Sequence, residues 1–501
     1  MSRGSMARSA SFLALALLAG AWLRGPSAAP VPEEAGRAGG GHVDPFSFIL
    51  LELSLVIIVA MFSRWVAERA RQPAVLGELV AGVVIGNLGF WIGRPLFVLV
   101  MHLGEVGPLL TEIFTSGASV AGAARHVFSA KELAPGAVGA QVLRIVTGPE
   151  APHYVIMGMA LWLFSNLGVI LLLFMVGLES SVAEMLRVGA RATAVAVVGI
   201  IVPFVLGLGA SMWLLEGATL PVHLFVAATL CATSVGITAR VFRDLNRLQT
   251  AEAKVILGAA VIDDILGLII LAVVVGIVAT GGIVVAEVAR ILLLSMLFLG
   301  VVILLGNRLV RWVIPAVSAL DRHHVKLLFP VALAFAMAWL ASMIELASII
   351  GAFAAGLILE ESQFDRHAET RQTMEEMIGP LERIFAPMFF VLMGMQVNLA
   401  TFLEPETVGL AVALTLVAIV GKIVAGWPAG PGTDRISVGL GMIPRGEVGL
   451  IFASIGKGLG VVTPALFSAV VIMVIVTTLV TPLALKWSLE RRARGPAAAA
   501  R

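Results

Sequence analysis

Thirteen apolar windows of membrane-spanning length run along the chain, each bounded by charges, proline or glycine: 46–66, 73–93, 157–178, 191–215, 221–240, 253–279, 288–312, 325–344, 347–360, 380–396, 405–427, 436–457 and 464–486. A helix needs about 20 apolar residues to cross the hydrocarbon core. The pattern therefore predicts an all-α polytopic membrane protein with about thirteen transmembrane helices. The windows 347–360 and 436–457 stand out as short or interrupted by Gly and Pro. Ahead of the first window, Arg3 and Arg8 precede the apolar run SFLALALLAGAWL (11–23) and the small-residue stretch GPSAAPVPEE. These features predict a signal peptide over 1–29, cleaved near Ala28 or Ala29. A polar outer linker (30–45), a membrane domain (46–487) and a short cytoplasmic tail (488–501) complete the expected organisation.

Composition agrees with the pattern. Hydrophobic residues make up 59% of the 501 residues and charged ones 13%, which excludes a soluble protein of this length. Lys and Arg total 34 against 32 Asp and Glu, and a net charge of +2 offers nothing to nucleic acid. The single cysteine, Cys231, excludes an intramolecular disulfide and a cysteine metal site. The histidines lack metal-ligand spacing, apart from the adjacent His323 and His324 at a segment start, and these read as interfacial. No cofactor is expected, and no enzymatic activity.

Where the charges fall sets an expected topology. With the N-terminus outside and thirteen crossings, the cytoplasmic stretches hold Arg64, Arg69 and Arg71; Arg187 and Arg191; Arg240, Arg243, Arg247 and Lys254; Arg308, Arg311, Arg322 and Lys326; Arg366, Arg371 and Arg383; Arg435; and the basic C-terminus. The short outer loops hold only Arg290 and Lys457, which is the bias of the positive-inside rule. The long stretch 94–156 falls on the outer face. It reads as a loosely structured insertion, in which PLFVLVMHL (95–103) could lie as an interfacial helix.

Two patterns recur between the halves. GELVAGVVIGN (77–87) resembles GAFAAGLILEE (351–361), which pairs Gly82 with Gly356, 274 residues on. LLLFMVGLESS (171–181) resembles MFFVLMGMQVN (388–398), which pairs Gly177 with Gly394 at an offset of 217. The offsets differ by 57 residues, about the length of the 94–156 stretch. Segments two to six then repeat as nine to thirteen, and an odd shift of seven segments inverts the copy. Inverted repeats are a signature of secondary transporters, whose substrate sites lie near the midplane at broken helices.

Five charged residues fall well inside apolar windows: Asp263 and Asp264 in VIDDILGLI, Lys422 in VAIVGKIVAG, and Arg445 and Glu447 in GMIPRGEVGLIF. Each costs about 2.5–3.5 kcal/mol at a helix centre on the insertion scale, so partners or a wet cavity must offset them. Adjacent helical residues point about 100° apart, so the two aspartates cannot face one partner equally. Lys422 is the natural partner for one. The other then has two competing ligands, a proton or a small hard cation for which oxygen ligands are suited. CATSVGITARV (231–241) and GMIPRGEVGLIF (441–452) place Gly, Pro, Ser or Thr in mid-span, where an unwound backbone frees carbonyls and exposes half-helix ends that Arg445 and Glu447 could neutralise.

Together these stretches resemble the monovalent cation:proton antiporter 2 family, the bacterial sodium or potassium/proton exchangers. The similarity runs in family order through LGELVAGVVIGN, LGVILLLFMVGLES, ATSVGITARVF, VIDDILGLI, GKIVAG and MIPRGEVGLI. It implies a sodium/proton antiporter fold with two crossed, broken helices (segments five and twelve) in a core that moves against a dimerisation domain, elevator fashion. It further implies that Asp264 is the ion- and proton-binding carboxylate and the ligand of the monovalent cation, that Asp263 pairs with Lys422, and that Thr233 and Ser234 belong to the unwound stretch beside the ion. Two adjacent acids accompany electrogenic exchange in this family. The implied partners are monovalent cations, protons, the lipid bilayer and a second copy of the chain, in a bacterial inner membrane. Asn166 stands where the family often has an acid. The chain closes on RRARGPAAAAR without a nucleotide-binding regulatory domain, which favours sodium over potassium.

Overall fold

The computed structural model describes residues 45–494 except 71, 104–108, 110–111, 113–118, 129–132, 135–136, 180–188, 235–237, 239–240, 243–246, 248–249, 281–283 and 365–371. The expected signal peptide, the outer linker up to Asp44 and the last seven residues of the tail lie outside the described residues. The described helices are α1 (Pro45–Arg69), α2 (Ala74–Trp91), α3 (Pro95–Met101), α4 (Val120–Val127), α5 (Val138–Val146), α6 (Ala151–Glu179), α7 (Gly189–Leu214), α8 (Leu220–Thr229), α9 (Ala251–Thr280), α10 (Val285–Val301), α11 (Asn307–Leu320), α12 (Val325–Met343), α13 (Ser348–Leu357), α14 (Met374–Met395), α15 (Pro405–Ala425), α16 (Arg435–Gly441), α17 (Glu447–Gly458) and α18 (Pro464–Arg494). A π-helical turn, Val302–Gly306, joins α10 to α11.

Among the described residues, ten helices are long and apolar enough to cross a membrane, and three shorter apolar ones cover Leu220–Thr229, Ser348–Leu357 and Val448–Gly458. These thirteen fall one each on the thirteen windows. Leu220–Thr229 and Val448–Gly458 belong to the broken helices expected at segments five and twelve, and Ser348–Leu357 to the window that stood out as short. At ten residues, α13 is about 15 Å long, half the hydrocarbon thickness. The chain enters it through a tight turn at Glu345, whose φ of 63° is left-handed and whose carboxylate pairs with Arg290. The turn between α11 and α12 is closed by Asp321, which accepts the backbone N–H of His324 (3.0 Å), the His324 ring (3.0 Å) and the N–H of His323 (2.9 Å). These bonds hold the Asp321 carboxyl below its usual range, and they account for the adjacent histidines as parts of a surface turn.

The chain divides into two compact units, residues 1–165 with 387–397 and residues 166–386 with 398–501. In the first unit α1 and α2 form an antiparallel hairpin whose closest approach is at Gly77, where an added Cβ would lie 2.4 Å from the Ser63 carbonyl oxygen. Arg64 pairs with the buried Glu78 across it at 3.4 Å. The 94–156 stretch belongs to this unit, and its described residues are packed together. Leu99, Leu109, Ala123, Ala124, Phe128 and Val142 form a buried cluster with Tyr154 and Val155 packed against it. Ser119 caps α4 through the N–H of Gly122. For these described residues the reading of a loosely structured insertion is corrected. So is the interfacial helix, because Leu96 to Met101 are all buried and α3 has no polar face to turn toward headgroups.

The second unit holds α7 to α13, the C-terminal half of α6, the larger part of α14, and α15 to α18. Its α7 and α15 run antiparallel: Gly199 faces Ala425, and Gly421 faces Pro203. Segments four and eleven thus run in opposite directions, as an inverted repeat requires. The recurring glycines show the same relation at atomic detail. In the first unit a Cβ on Gly82 would lie 2.2 Å from Val391 O, and one on Gly394 would lie 2.2 Å from Leu79 O. In the second unit a Cβ on Gly356 would lie 2.1 Å from Phe174 O, and one on Gly177 would lie 2.1 Å from Phe353 O. Leu79 and Phe353 share the 274 offset, and Phe174 and Val391 share the 217 offset. Each close helix crossing is therefore built from one member of each repeated pair, and only glycine permits the backbones to approach so closely.

Overpacking such a crossing is expected to cost about 1–3 kcal/mol or more. Gly356→Val is predicted to lower the melting temperature of the purified protein clearly, whereas Gly209→Ala, at a helical glycine with nothing within 4 Å of the added Cβ, leaves it unchanged or raises it slightly. Thermal unfolding of the two variants in detergent checks both.

Candidate ion-binding site

Two interrupted helices of the second unit form the frame of the site. The helix α8 ends at Thr229, with Leu230 as its cap, and residues 231–234 leave helical geometry before Thr238 is helical again. The helix α16 ends at Gly441, the chain is irregular through 443–446, and α17 starts at Glu447. Proline explains the second break, since Pro444 has no N–H to donate and biases Ile443 away from helix. Around the first break the stretch CATSVG is rich in small and hydroxyl side chains, which compete locally for backbone bonds.

The two unwound stretches satisfy one another. The N–H of Ser234 donates to the carbonyl of Pro444 at 2.8 Å. The Thr238 hydroxyl donates to the carbonyl of Gly441, the last residue of α16, at 2.6 Å. Arg445 is fully buried and donates from Nη1 to the carbonyl of Cys231 at 3.1 Å and to that of Ala232. Its positive charge thus sits at the carbonyl end of the half-helix α8, where the helix dipole is negative. Thr478 of α18 donates to the Arg445 carbonyl at 2.9 Å and anchors the turn. Glu447 is the first residue of α17, and its side chain lies outside the described residues.

The long helix α9 carries both aspartates beside this frame. Lys422, in the last turn of α15, donates its ammonium to both oxygens of Asp263 at 3.1 and 3.2 Å. Neither side chain of the pair is exposed at all. The Thr233 hydroxyl lies beside the Asp263 carboxylate without a well-formed hydrogen bond to it. Asp264, turned about 100° from its neighbour, keeps 8% of its surface accessible against 1% for Asp263. The two carboxylates therefore differ: Asp263 is fully enclosed and neutralised by Lys422, and Asp264 keeps the larger accessible surface. Thr233, Ser234, Asp263, Lys422 and Arg445 thus gather in one unit, with Asp264 next along α9.

Several contributing residues carried no obvious signal in the sequence. Gly199 of α7 forms the wall behind the ion pair, since a Cβ there would lie 3.4 Å from Lys422 Nζ and 3.8 Å from Asp263 Oδ1. Cys231 donates its thiol toward the carbonyls of Ala227 and Ile200 and offers its own carbonyl to Arg445. Thr238, Pro444 and Thr478 act through main-chain bonds, which a pattern of side-chain types does not show.

This site, on an all-helical frame with inverted repeats and two crossed, broken helices, defines a membrane transporter and not an enzyme. A model of the transmembrane sodium/hydrogen exchanger family matches residues 57–491, and the chain belongs to that family. The chain is 37% identical over 446 residues to the high-affinity Na(+)/H(+) antiporter NhaS3 of Synechocystis, covering 87% of this chain and 88% of that protein. It is 33% identical over 366 residues to the Na(+)/H(+)-K(+) antiporter GerN of Bacillus cereus, covering 71% of this chain and 90% of that protein. Its fold is similar to that of the sodium proton antiporter MjNhaP1 of Methanocaldococcus jannaschii, with a TM-score of 0.59 and 15% identity over 88% of this chain and 99% of that one.

Breaking a buried ion pair leaves an uncompensated charge, which costs about 3–5 kcal/mol, whereas removing both partners can be nearly neutral. Lys422→Met is accordingly predicted to destabilise the protein strongly, and Asp263→Asn with Lys422→Met is predicted to recover most of the loss. Melting temperatures of the two single variants and the double variant, compared as a cycle, test this coupling.

Proposed function

We propose that the chain is a secondary active transporter that exchanges sodium for protons across a bacterial inner membrane, electrogenically and by elevator-like alternating access. The observation that carries this reading is the inequality of the two buried acids beside two interrupted helices, with Asp263 enclosed and held by Lys422 and Asp264, next along α9, the more accessible. An ionised carboxylate at mid-span is costly on its own. It binds a proton or a small cation, one excluding the other, and this competition is the core of exchange. Carbonyls and hydroxyls of the unwound 231–234 stretch, those of Thr233 and Ser234 among them, supply the oxygen ligands a hard monovalent cation requires. Arg445 keeps the crossing neutral enough that the cation's affinity is set by Asp264, and Glu447 sits where a half-helix N-terminus favours an acid.

Two acids in tandem support electrogenic exchange. When the cation displaces the proton of Asp264 and the pair at Asp263 loosens so that the Lys422 ammonium gives up a proton, two protons leave for one cation, and each net charge moved is worth about 2.3 kcal/mol per 100 mV. Sodium is favoured over potassium because the two relatives above, NhaS3 and GerN, are both Na(+)/H(+) antiporters by name. The potassium in the name of GerN makes that ion the second cation to test. The excess of Arg and Lys in alternate loops supports an outer N-terminus and a cytoplasmic C-terminus. A homodimer completes the reading, with one unit of each protomer as a fixed frame for the moving site.

Proteoliposomes with an imposed pH gradient test the proposal. Addition of sodium is expected to drive proton movement in the wild-type protein, and Asp264→Asn is expected to reduce it to the level of empty vesicles. Asp263→Asn is expected to keep cation binding while weakening the response to membrane voltage. Cation flux without proton movement would overturn exchange in favour of a channel, and faster exchange with potassium than sodium would reassign the substrate. Equal loss of cation binding in both variants would overturn the division of roles between the aspartates.

A further inference from the structure

The first unit contains an acid that the exchange site does not use. Glu52 of α1 is 0% exposed, and neither carboxylate oxygen has a hydrogen-bond partner among the described residues. It lies seven residues inside α1, about 10 Å along the axis from the start of the helix. Leu55 and Val56, one turn further on, are buried beside it. The antiparallel register set by Ser63 and Gly77 brings the last turn of α2 level with Glu52, and that turn, NLGFW, carries no ionisable side chain.

The titratable groups on the surrounding elements are few. On α1 itself the next charged residue is Arg64, three turns away and paired with Glu78 of α2. On α6, His153 packs edge-on against Phe48, one turn before Glu52, with ring centroids 5.9 Å apart. Glu150 and Tyr154 at the same end bond to each other at 2.8 Å. Arg94 and His102 belong to the neighbouring insertion. No described hydrogen bond or ion pair joins any of them to Glu52.

An ionised carboxylate without counter-charge or donor is not tolerated in such surroundings, so Glu52 carries its proton here. Even then its O–H and C=O are unsatisfied, a condition that a leucine of similar volume would avoid. We propose that Glu52 is a second intramembrane proton-binding site, separate from Asp263 and Asp264, which holds its proton in this conformation and releases it when the outer end of α1 opens to water.

This inference goes beyond the exchange reading, and its test requires no transport. Infrared difference spectroscopy of the purified full-length protein in lipid nanodiscs, titrated from mildly acidic to alkaline pH without sodium or potassium, follows the C=O band of a protonated carboxylic acid. The expected result is a band that fades as pH rises, persists in Asp263→Asn and Asp264→Asn, and is lost in Glu52→Gln. If Glu52→Gln does not fold, Glu52→Asp keeps the acid on a shorter stem and is expected to displace the same band. A spectrum unchanged by the Glu52 substitution overturns the proposal. A Glu52 band that never fades over the pH range also overturns it, since such an acid is a fixed part of the packing. Loss of sodium-driven exchange with the Glu52 band intact would count against the exchange reading alone.

Discussion

A carboxylate and an ammonium removed from water must find each other, and the pair formed by Asp263 and Lys422 is the constraint around which the second unit is arranged. Each charge alone would be costly at a helix centre, and together they are tolerable only with near-ideal geometry and no water between them. That geometry requires α9 and α15 to meet at one depth, which they do with α7 packed against both. Gly199 is the consequence: a larger side chain on α7 would occupy the space that the ammonium needs. With Lys422 bound to both oxygens of Asp263, the two adjacent acids stand in unequal surroundings, and Asp264 keeps the larger accessible surface.

The second constraint is that backbone polar groups have no water to bond to inside a membrane. Interrupting a helix there exposes carbonyls and N–H groups, so one break alone would be unstable. The chain uses two, placed so that each supplies what the other lacks: Ser234 bonds to Pro444, Thr238 to Gly441, and Arg445 to Cys231 and Ala232. The crossing is thus stable without being helical. It leaves oxygen atoms at mid-span, where a dehydrated cation can use them.

Duplication explains how two such breaks come to meet. The glycine pairs Gly82 with Gly394 and Gly177 with Gly356 make equivalent close crossings, one in each unit, from residues related by the two sequence offsets. Close backbone approach supplies van der Waals contact where lipid removes any hydrophobic advantage for helix association. The insertion at 94–156 departs from the repeat and packs its own apolar cluster within the first unit.

The sequence by itself determined the number of apolar segments, the inverted order of the repeat and the identity of the charged residues in mid-span, because hydrophobic length and the rarity of intramembrane charge are one-dimensional signals. It could not separate Asp263 from Asp264 by periodicity, since neighbouring helical positions differ only in azimuth. It also missed what depends on other helices. The burial of α3 on every side, the ten-residue length of α13, the role of Gly199 and the enclosure of Glu52 follow from which surfaces face one another. Glu52 lies in the first apolar window but was not among the mid-span charges the sequence singled out, and only packing shows that no donor among the described residues reaches it. Composition states what a residue can offer, and the tertiary structure decides which neighbour, if any, is there to accept it.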